Sequence, residues 1–427
     1  MPIEPFSITG LCVLVIFLLG MAAIVFEAPL HMDKFKPALF MLVGLLVIGV
    51  HHYAQGDAGG LKKFAELQHE LAISLFQLVA FMAFMWMIVE LLNERGVFGA
   101  LNAALLRAGL GARGMFWATG LLSALLAPFL NNITTAMVFG KSIRMMSTDR
   151  RYEHVALCNI ILASNSGVWF LGTATSLMVV LAGKISVAGL LALAPCGLIG
   201  WAMSAWVLER FYFPRDVRVG NDAGSAAGLK PGAAGLVIIA IAGIAAAVLM
   251  NVILHVDIEF ALGMALAAVS LYCWYLKRRG EDVRLNVQLQ KVEWNTLMFF
   301  IGIIAGVGCL NHTGWLGFIG PLAETLSPTG LNVALGVLSG ILDNVPVEAA
   351  ALMAAPNFEL DQWALNALLI GIGGSLTVIG SAAGVMVMSL DRSYTFAAHL
   401  KFLPAILVNF FGSIGVWYVQ YRVLHFY

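Results

Sequence analysis

Stretches of about 20 apolar residues recur along this chain, and each is long enough to cross a bilayer as a helix. They fall near 8–26, 37–53, 71–93, 187–209, 233–253, 259–276, 294–311 and 397–421. Four further runs, 114–147, 154–183, 330–355 and 363–390, are as apolar but interrupted. Lipid offers no partner to an unpaired backbone amide, so such a chain folds as a bundle of spanning helices. Of its 427 residues, 60% are hydrophobic and 11% charged, whereas soluble domains carry about 25% charged residues. The expected class is an all-α polytopic membrane protein. Formal net charge is zero, which leaves no basic footprint for nucleic acid. Cys12, Cys158, Cys196, Cys273 and Cys309 are dispersed and form no CxxC pair, so neither a metal site nor a disulfide framework is expected. The first run has no Lys or Arg before it and no small-residue cleavage site after it, and it reads as a retained span.

The interruptions carry the functional signal. Run 114–147 is cut by Asn131-Asn132, and run 330–355 by Asp343-Asn344 and Pro346. Run 154–183 is cut by Asn165-Ser166-Gly167 and Gly172-Thr173, and run 363–390 by Gly371, Gly373-Gly374-Ser375 and Gly380-Ser381. Polar, helix-breaking residues at membrane depth are costly unless they line a site. Paired interruptions in two halves of a chain are the sequence pointer to a transporter's substrate site. Short segments at 97–110 and 315–326, after Gly96 and Gly314, resemble interfacial helices.

The halves match in order: span, short helix, broken hairpin, broken helix, span. Glu90–Gly99 parallels Gly308–Gly317, and Leu122-Ser123-Ala124 and Leu338-Ser339-Gly340 precede the two hairpin breaks. The division expected is N-terminal spans 1–69, a first repeat 70–213, a cytoplasmic linker 214–231, connecting spans 232–292 and a second repeat 293–427. If both hairpins enter and return on one side, ten spans result. Lys62, Lys63, Lys184 and Arg422 then lie on one face, and the other 20 of the 24 Lys and Arg, Lys34 and Lys36 among them, on the opposite face. Hairpins counted as full spans weaken the split to 16 against 8. The positive-inside rule favours re-entrant hairpins and both termini outside. Five crossings separate the halves, which makes the repeats inverted and brings the hairpin tips together near the midplane.

Carbonyls and carboxylates freed at such breaks suit a hard cation, and helix N-termini suit an anion. A carboxyl in a dry site holds its proton more tightly, so Asp343 can exchange a proton for a cation. Asn344, Asn131, Asn132, Thr134 and Thr135 add neutral oxygens; an Na⁺ site is sought at Asp343, Asn344 and Asn132. A capping role for Asp343 or Asn344 competes with this reading. Asn165, Ser166, Thr173 and Thr175 line the first broken helix, and Gly374, Ser375, Thr377, Gly380 and Ser381 the second, where close helix packing is the competing role. Glu348, one turn after Asn344, is a candidate proton relay. Glu90 is another, against the blander role of an interfacial anchor paired with Arg95. His51, His52 and His154 sit near span ends, facing headgroups or solvent. No phosphate loop, zinc signature or nucleophile elbow occurs, and no cofactor is expected.

At Leu338–Pro346, Gly373–Ser375, Ile379–Gly384, Phe299–Ile303 through Gly314, and Asn132–Thr135, the chain resembles the NhaD-type sodium/proton antiporters of the ion transporter superfamily, which also holds arsenite permeases and dicarboxylate carriers. The resemblance runs from about residue 70 to the C-terminus. It implies exchange of Na⁺ or Li⁺ for H⁺, a bacterial inner membrane and a homodimer. Two acids of the family pattern are missing: Asn131-Asn132 stands where the family has Asp-Asn, and Gly172-Thr173 where it has Gly-Asp. The expected function is therefore a secondary active transporter, a cation/proton antiporter with Asp343 as main ligand, working by alternating access. The alternative is an anion or organic-acid transporter of the same superfamily, possibly sodium-coupled; a membrane enzyme or scaffold lacks any catalytic constellation.

Overall fold

The computed structural model describes residues 4–30, 32–54, 60–147, 149–215, 217, 228–283, 285–354 and 356–425. Among them, ten helices are long and apolar enough to cross a membrane. Eight coincide with the uninterrupted runs, and two, Ala112–Leu130 and Thr325–Leu342, are the incoming arms of the two hairpins. The ten spans expected from sequence included the two broken runs instead. Those runs divide into Arg150–Asn165 with Ala174–Leu181, and Leu360–Gly373 with Ala382–Leu390, so no single piece reaches spanning length. All five cysteines are free thiols.

Small residues set how the helices approach. Ile8–Val25 runs antiparallel to Phe35–Ala54, with Gly20 against Met41 and Gly44 against Ile16. Phe35–Ala54 in turn runs parallel to Trp294–His312: Gly302 meets Ala38, Gly306 meets Met41, and the Tyr53 hydroxyl hydrogen-bonds the His312 ring. Backbone meets backbone closely where each broken helix crosses its own hairpin. A Cβ on Gly172 would sit 2.1 Å from the Pro128 carbonyl oxygen, and one on Gly373 would sit 2.0 Å from that of Gly336. Where the two broken helices meet, a Cβ on Gly371 would sit 2.1 Å from Val168.

Other expectations change in detail. Segment 315–326 is a 3₁₀ turn, Trp315–Phe318, running into a helix that breaks at Ser327, where φ is 62° just before Pro328. The linker 214–231 lies mostly outside the described residues. Its end at 228–231 packs onto Arg95, whose backbone carbonyl accepts from the Lys230 amide (3.1 Å). The buried Arg95 guanidinium donates to the carbonyls of Pro231 and Asp282 and to Glu281, each at 3.3 Å. The expected Glu90–Arg95 pair is therefore not formed. Arg95 turns inward to these three acceptors, with its Nε left unpartnered among the described residues, and Glu90 accepts from the Asn93 amide (3.4 Å). His154 also differs from expectation: it bonds the Ser393 hydroxyl at 3.0 Å and lies 3.5 Å from Asp391.

The crossings predict a contrast between two glycines. Gly373→Ala forces the hairpin away from the broken helix and destabilises by at least about 1–3 kcal/mol, the cost of overpacking. Gly415→Ala has nothing within 4 Å of the new methyl and gains up to about 1 kcal/mol of helix propensity. Thermal melts of both purified variants in detergent check the opposite signs.

Candidate ion-binding site

Each hairpin tip is one residue with an unusual backbone. Asn131 (φ 67°, ψ 164°) separates Ala112–Leu130 from Asn132–Met146, and Asp343 (φ 84°, ψ 149°) separates the second hairpin's arms at Leu342 and Asn344. Such a conformation costs a residue with a Cβ on the order of 1–3 kcal/mol. Asn131 offsets it by capping: its Oδ1 accepts from the Thr134 amide (2.8 Å) and its carbonyl from the Thr135 hydroxyl (2.7 Å). Asp343 is bound more loosely to its own helix, with Oδ1 accepting from the Val345 amide at 3.4 Å. Its Oδ2 accepts from the ammonium of Lys34 at 2.8 Å.

The broken helices close around these tips. Asn165 ties the halves: its Oδ1 accepts from Asn132 Nδ2 (3.0 Å), and its Nδ2 donates to the hydroxyls of Ser375 (3.0 Å) and Ser381 (2.8 Å). Thr173 caps Ala174–Leu181 and donates to the Ser176 hydroxyl (2.8 Å). Gly374 and Gly380 leave room for the second tip: a Cβ at Gly374 would sit 2.4 Å from the Asn344 side chain, and one at Gly380 would sit 2.6 Å from the Gly340 carbonyl oxygen. The Asn344 amide satisfies its surroundings with its nitrogen toward the Gly380 and Ile370 carbonyls (3.2 Å each) and the Ser339 hydroxyl (2.7 Å). The Thr377 hydroxyl donates to the Gly340 carbonyl at 2.5 Å.

Asn131, Asn132, Thr173, Thr175, Asp343 and Asn344 all line one cavity of about 80 Å³. Residues from both halves therefore meet in one place. Lys34 and Thr296 join them, and Trp86, Phe299 and Phe300 form part of the apolar wall. Helices starting at Asn132, Ala174, Asn344 and Ala382 point their N-termini at the cavity, which adds partial positive charge. The formal charges of Lys34 and Asp343 cancel.

The remaining predicted residues stand behind this lining or away from it. Thr134, Thr135, Asn165, Gly374, Ser375, Gly380 and Ser381 support the lining but are not part of it. Ser166 turns to the opposite side, donating to the Leu162 carbonyl (2.8 Å) and pairing with Asn409. Glu348 is fully buried, and neither carboxyl oxygen has a partner among the described residues.

Two residues of the site were not anticipated. Lys34 falls among the Lys and Arg that the charge count puts on one face, and nothing local distinguishes it from Lys36, which pairs with the exposed Asp33 (2.9 Å). His399 lies behind the second broken helix. Its Nε2 donates to the Ser375 carbonyl (2.9 Å) while its Nδ1 accepts from the Tyr394 hydroxyl (2.8 Å). It thereby holds a carbonyl that helix breaking set free, a role no sequence spacing reveals.

The family described as "Citrate transporter" (CitMHS) matches residues 14–371. A protein of Alkalimonas amylolytica named "Na(+)/H(+) antiporter NhaD" is 31% identical over 96% of this chain and 90% of its own length. Its namesake in Vibrio parahaemolyticus is 32% identical over 89% of this chain and 98% of its own length. "Sodium/proton antiporter 1" of Arabidopsis thaliana is 25% identical over 96% of this chain and 72% of its own length.

The Asn165 junction gives a stability prediction. Asn165→Ala leaves the Asn132 amide and two buried hydroxyls without their partner, at about 1–3 kcal/mol for a buried polar group left unsatisfied. The melting temperature should fall, and Asn165→Asp should not restore it, because a carboxylate buried there has only neutral partners to replace its hydration. A melt unchanged in Asn165→Ala would contradict the role given to this residue.

Proposed function

The chain belongs to the CitMHS citrate-transporter family and is a multi-pass transporter rather than an enzyme, and on that premise we propose that it exchanges Na⁺ or Li⁺ for H⁺ with Asp343 as the shared ligand. The observation that carries this reading is that Asp343 is the single acid among the described residues lining the cavity where both hairpin tips meet. Ionised Asp343 attracts the cation, and Asn131, Asn132, Asn344, Thr173 and Thr175, which line the same cavity, would offer it hard oxygen ligands. Protonation of Asp343 removes the charge and releases the cation. One carboxylate gives one-for-one exchange. The relatives named as sodium/proton antiporters support the same chemistry.

Within this proposal, residues 70–213 and 293–427 are inverted repeats, and the hairpins and broken helices move against the other spans to open the site to each side in turn. The excess of Lys and Arg that this topology puts on one face supports both termini lying in the periplasm of a bacterial inner membrane.

A second reading has one specific observation in its favour. Lys34 at the cavity, with four helix N-termini, would attract an organic anion, as the family's description suggests. Against it, Asp343 cancels the charge of Lys34, and about 80 Å³ is far below the roughly 300–1,000 Å³ of pockets for organic ligands.

Reconstituted in proteoliposomes, the protein should move protons when a Na⁺ or Li⁺ gradient is imposed, and Asp343→Asn should reduce that flux to the level of protein-free vesicles. Undiminished flux in Asp343→Asn would sink the mechanism. In a thermal-shift panel, Na⁺ or Li⁺ should stabilise the protein while K⁺ and citrate do not; stabilisation by citrate alone would favour the second reading.

A further inference from the structure

We propose that Lys34 is the transporter's resident counter-cation: it occupies Asp343 when the site is empty, the transported ion must displace it, and it then withdraws toward Glu27. This inference rests on the cation-exchange reading above and adds to it a residue from outside both halves.

Geometry points to displacement. Lys34 Nζ lies 2.8 Å from Asp343 Oδ2, and a metal cation on that oxygen would be repelled by an ammonium at the same distance. The two occupants therefore exclude each other. The pair also stands between two spaces. Lys34 and Asp343 line the main cavity of about 80 Å³, and both line a second one of about 50 Å³ together with Glu27. Lys34 thus has a second carboxylate beyond Asp343 and a route toward it. It lies on the short segment just before helix Phe35–Ala54, where a long side chain can swing without moving a helix. Its ammonium also lies 5.0 Å from the Phe299 ring centroid, a weak hold that tolerates movement. Asp343, Glu27 and Glu293 are the acids whose charges Lys34 feels.

Charge balance explains what the lysine achieves. In the empty site, Asp343⁻ faces Lys34⁺. With Na⁺ bound, Asp343⁻ faces Na⁺ while Lys34⁺ faces Glu27⁻. With Asp343 protonated, Lys34⁺ again faces Glu27⁻. No stage leaves Asp343 as a bare carboxylate, which a dry interior strongly disfavours.

The competition is read from the Na⁺ or Li⁺ concentration giving half-maximal antiport in proteoliposomes of the full chain, with thermal stabilisation by the same ion as a binding readout. Removing the competitor in Lys34→Gln should lower that concentration roughly five- to hundredfold, the usual range for coupling between two ligands. Removing its retreat in Glu27→Gln should raise it. Lys34→Arg, which keeps a cation, should shift it less than Lys34→Gln does. A merely structural role would shift both neutral variants the same way, toward weaker binding. The proposal is overturned if Lys34→Gln binds the ion equally well or more weakly, or if Glu27→Gln binds it equally well or more tightly. Should Lys34→Gln fail to fold, the direction of Glu27→Gln alone decides. Asp343→Asn separates the two claims: if it still transports, the cation-exchange reading fails, whereas if it is silent and the Lys34 and Glu27 variants move in the wrong directions, only the role of Lys34 fails.

Discussion

Every backbone group that leaves a helix inside a bilayer has to find its partner within the protein, and the four breaks in this chain find theirs in one another. The Gly172 amide donates to the Pro128 carbonyl at 2.6 Å. The Gly340 carbonyl takes the Thr377 hydroxyl, the Ser375 carbonyl takes His399, and the Gly380 and Ile370 carbonyls take the Asn344 amide. Asn165 then fastens one broken helix to the other. The cavity is the space these mutual arrangements leave, so the binding residues and the fold's polar accounting cannot be changed independently.

The two tips show how one backbone serves two chemistries. Asn131 and Asp343 adopt nearly the same conformation, yet the amide spends its oxygen on its own helix while the carboxylate turns one oxygen outward to a cation. Swapping a neutral for a charged residue at an otherwise equivalent turn moves the formal charge of the cavity into one half.

Much of this was legible beforehand, and what was not has physical causes. Helix lengths follow from apolar runs, and the tips follow from polar residues where only a site excuses them, so Asn131, Asn132, Asp343 and Asn344 were found together. Which polar residues face the cavity was not legible. Ser166 and Thr173 look alike in sequence, but the end of helix Arg150–Asn165 turns one toward Asn409 and leaves the other on the cavity. Long-range partners were invisible for the same reason: the pair of Lys34 with Asp343 spans 309 positions, and Arg95 chose Glu281 over its neighbour Glu90. Both are cations whose solvated reading is the sensible default for a residue at a span's end.

The position of Lys34 bears on what the smallest working unit of this protein is. The two halves that carry the hairpins and broken helices begin near residue 70, and by architecture the helices before it look dispensable. They are not, because the ammonium facing Asp343 comes from the turn between the first two of them. A chain cut down to its two halves would keep every residue of the tips and still present an unaccompanied acid to the membrane interior. The leading helices thus contribute to the cavity itself, and a shortened or designed version of this architecture would have to retain them or supply that positive charge from elsewhere.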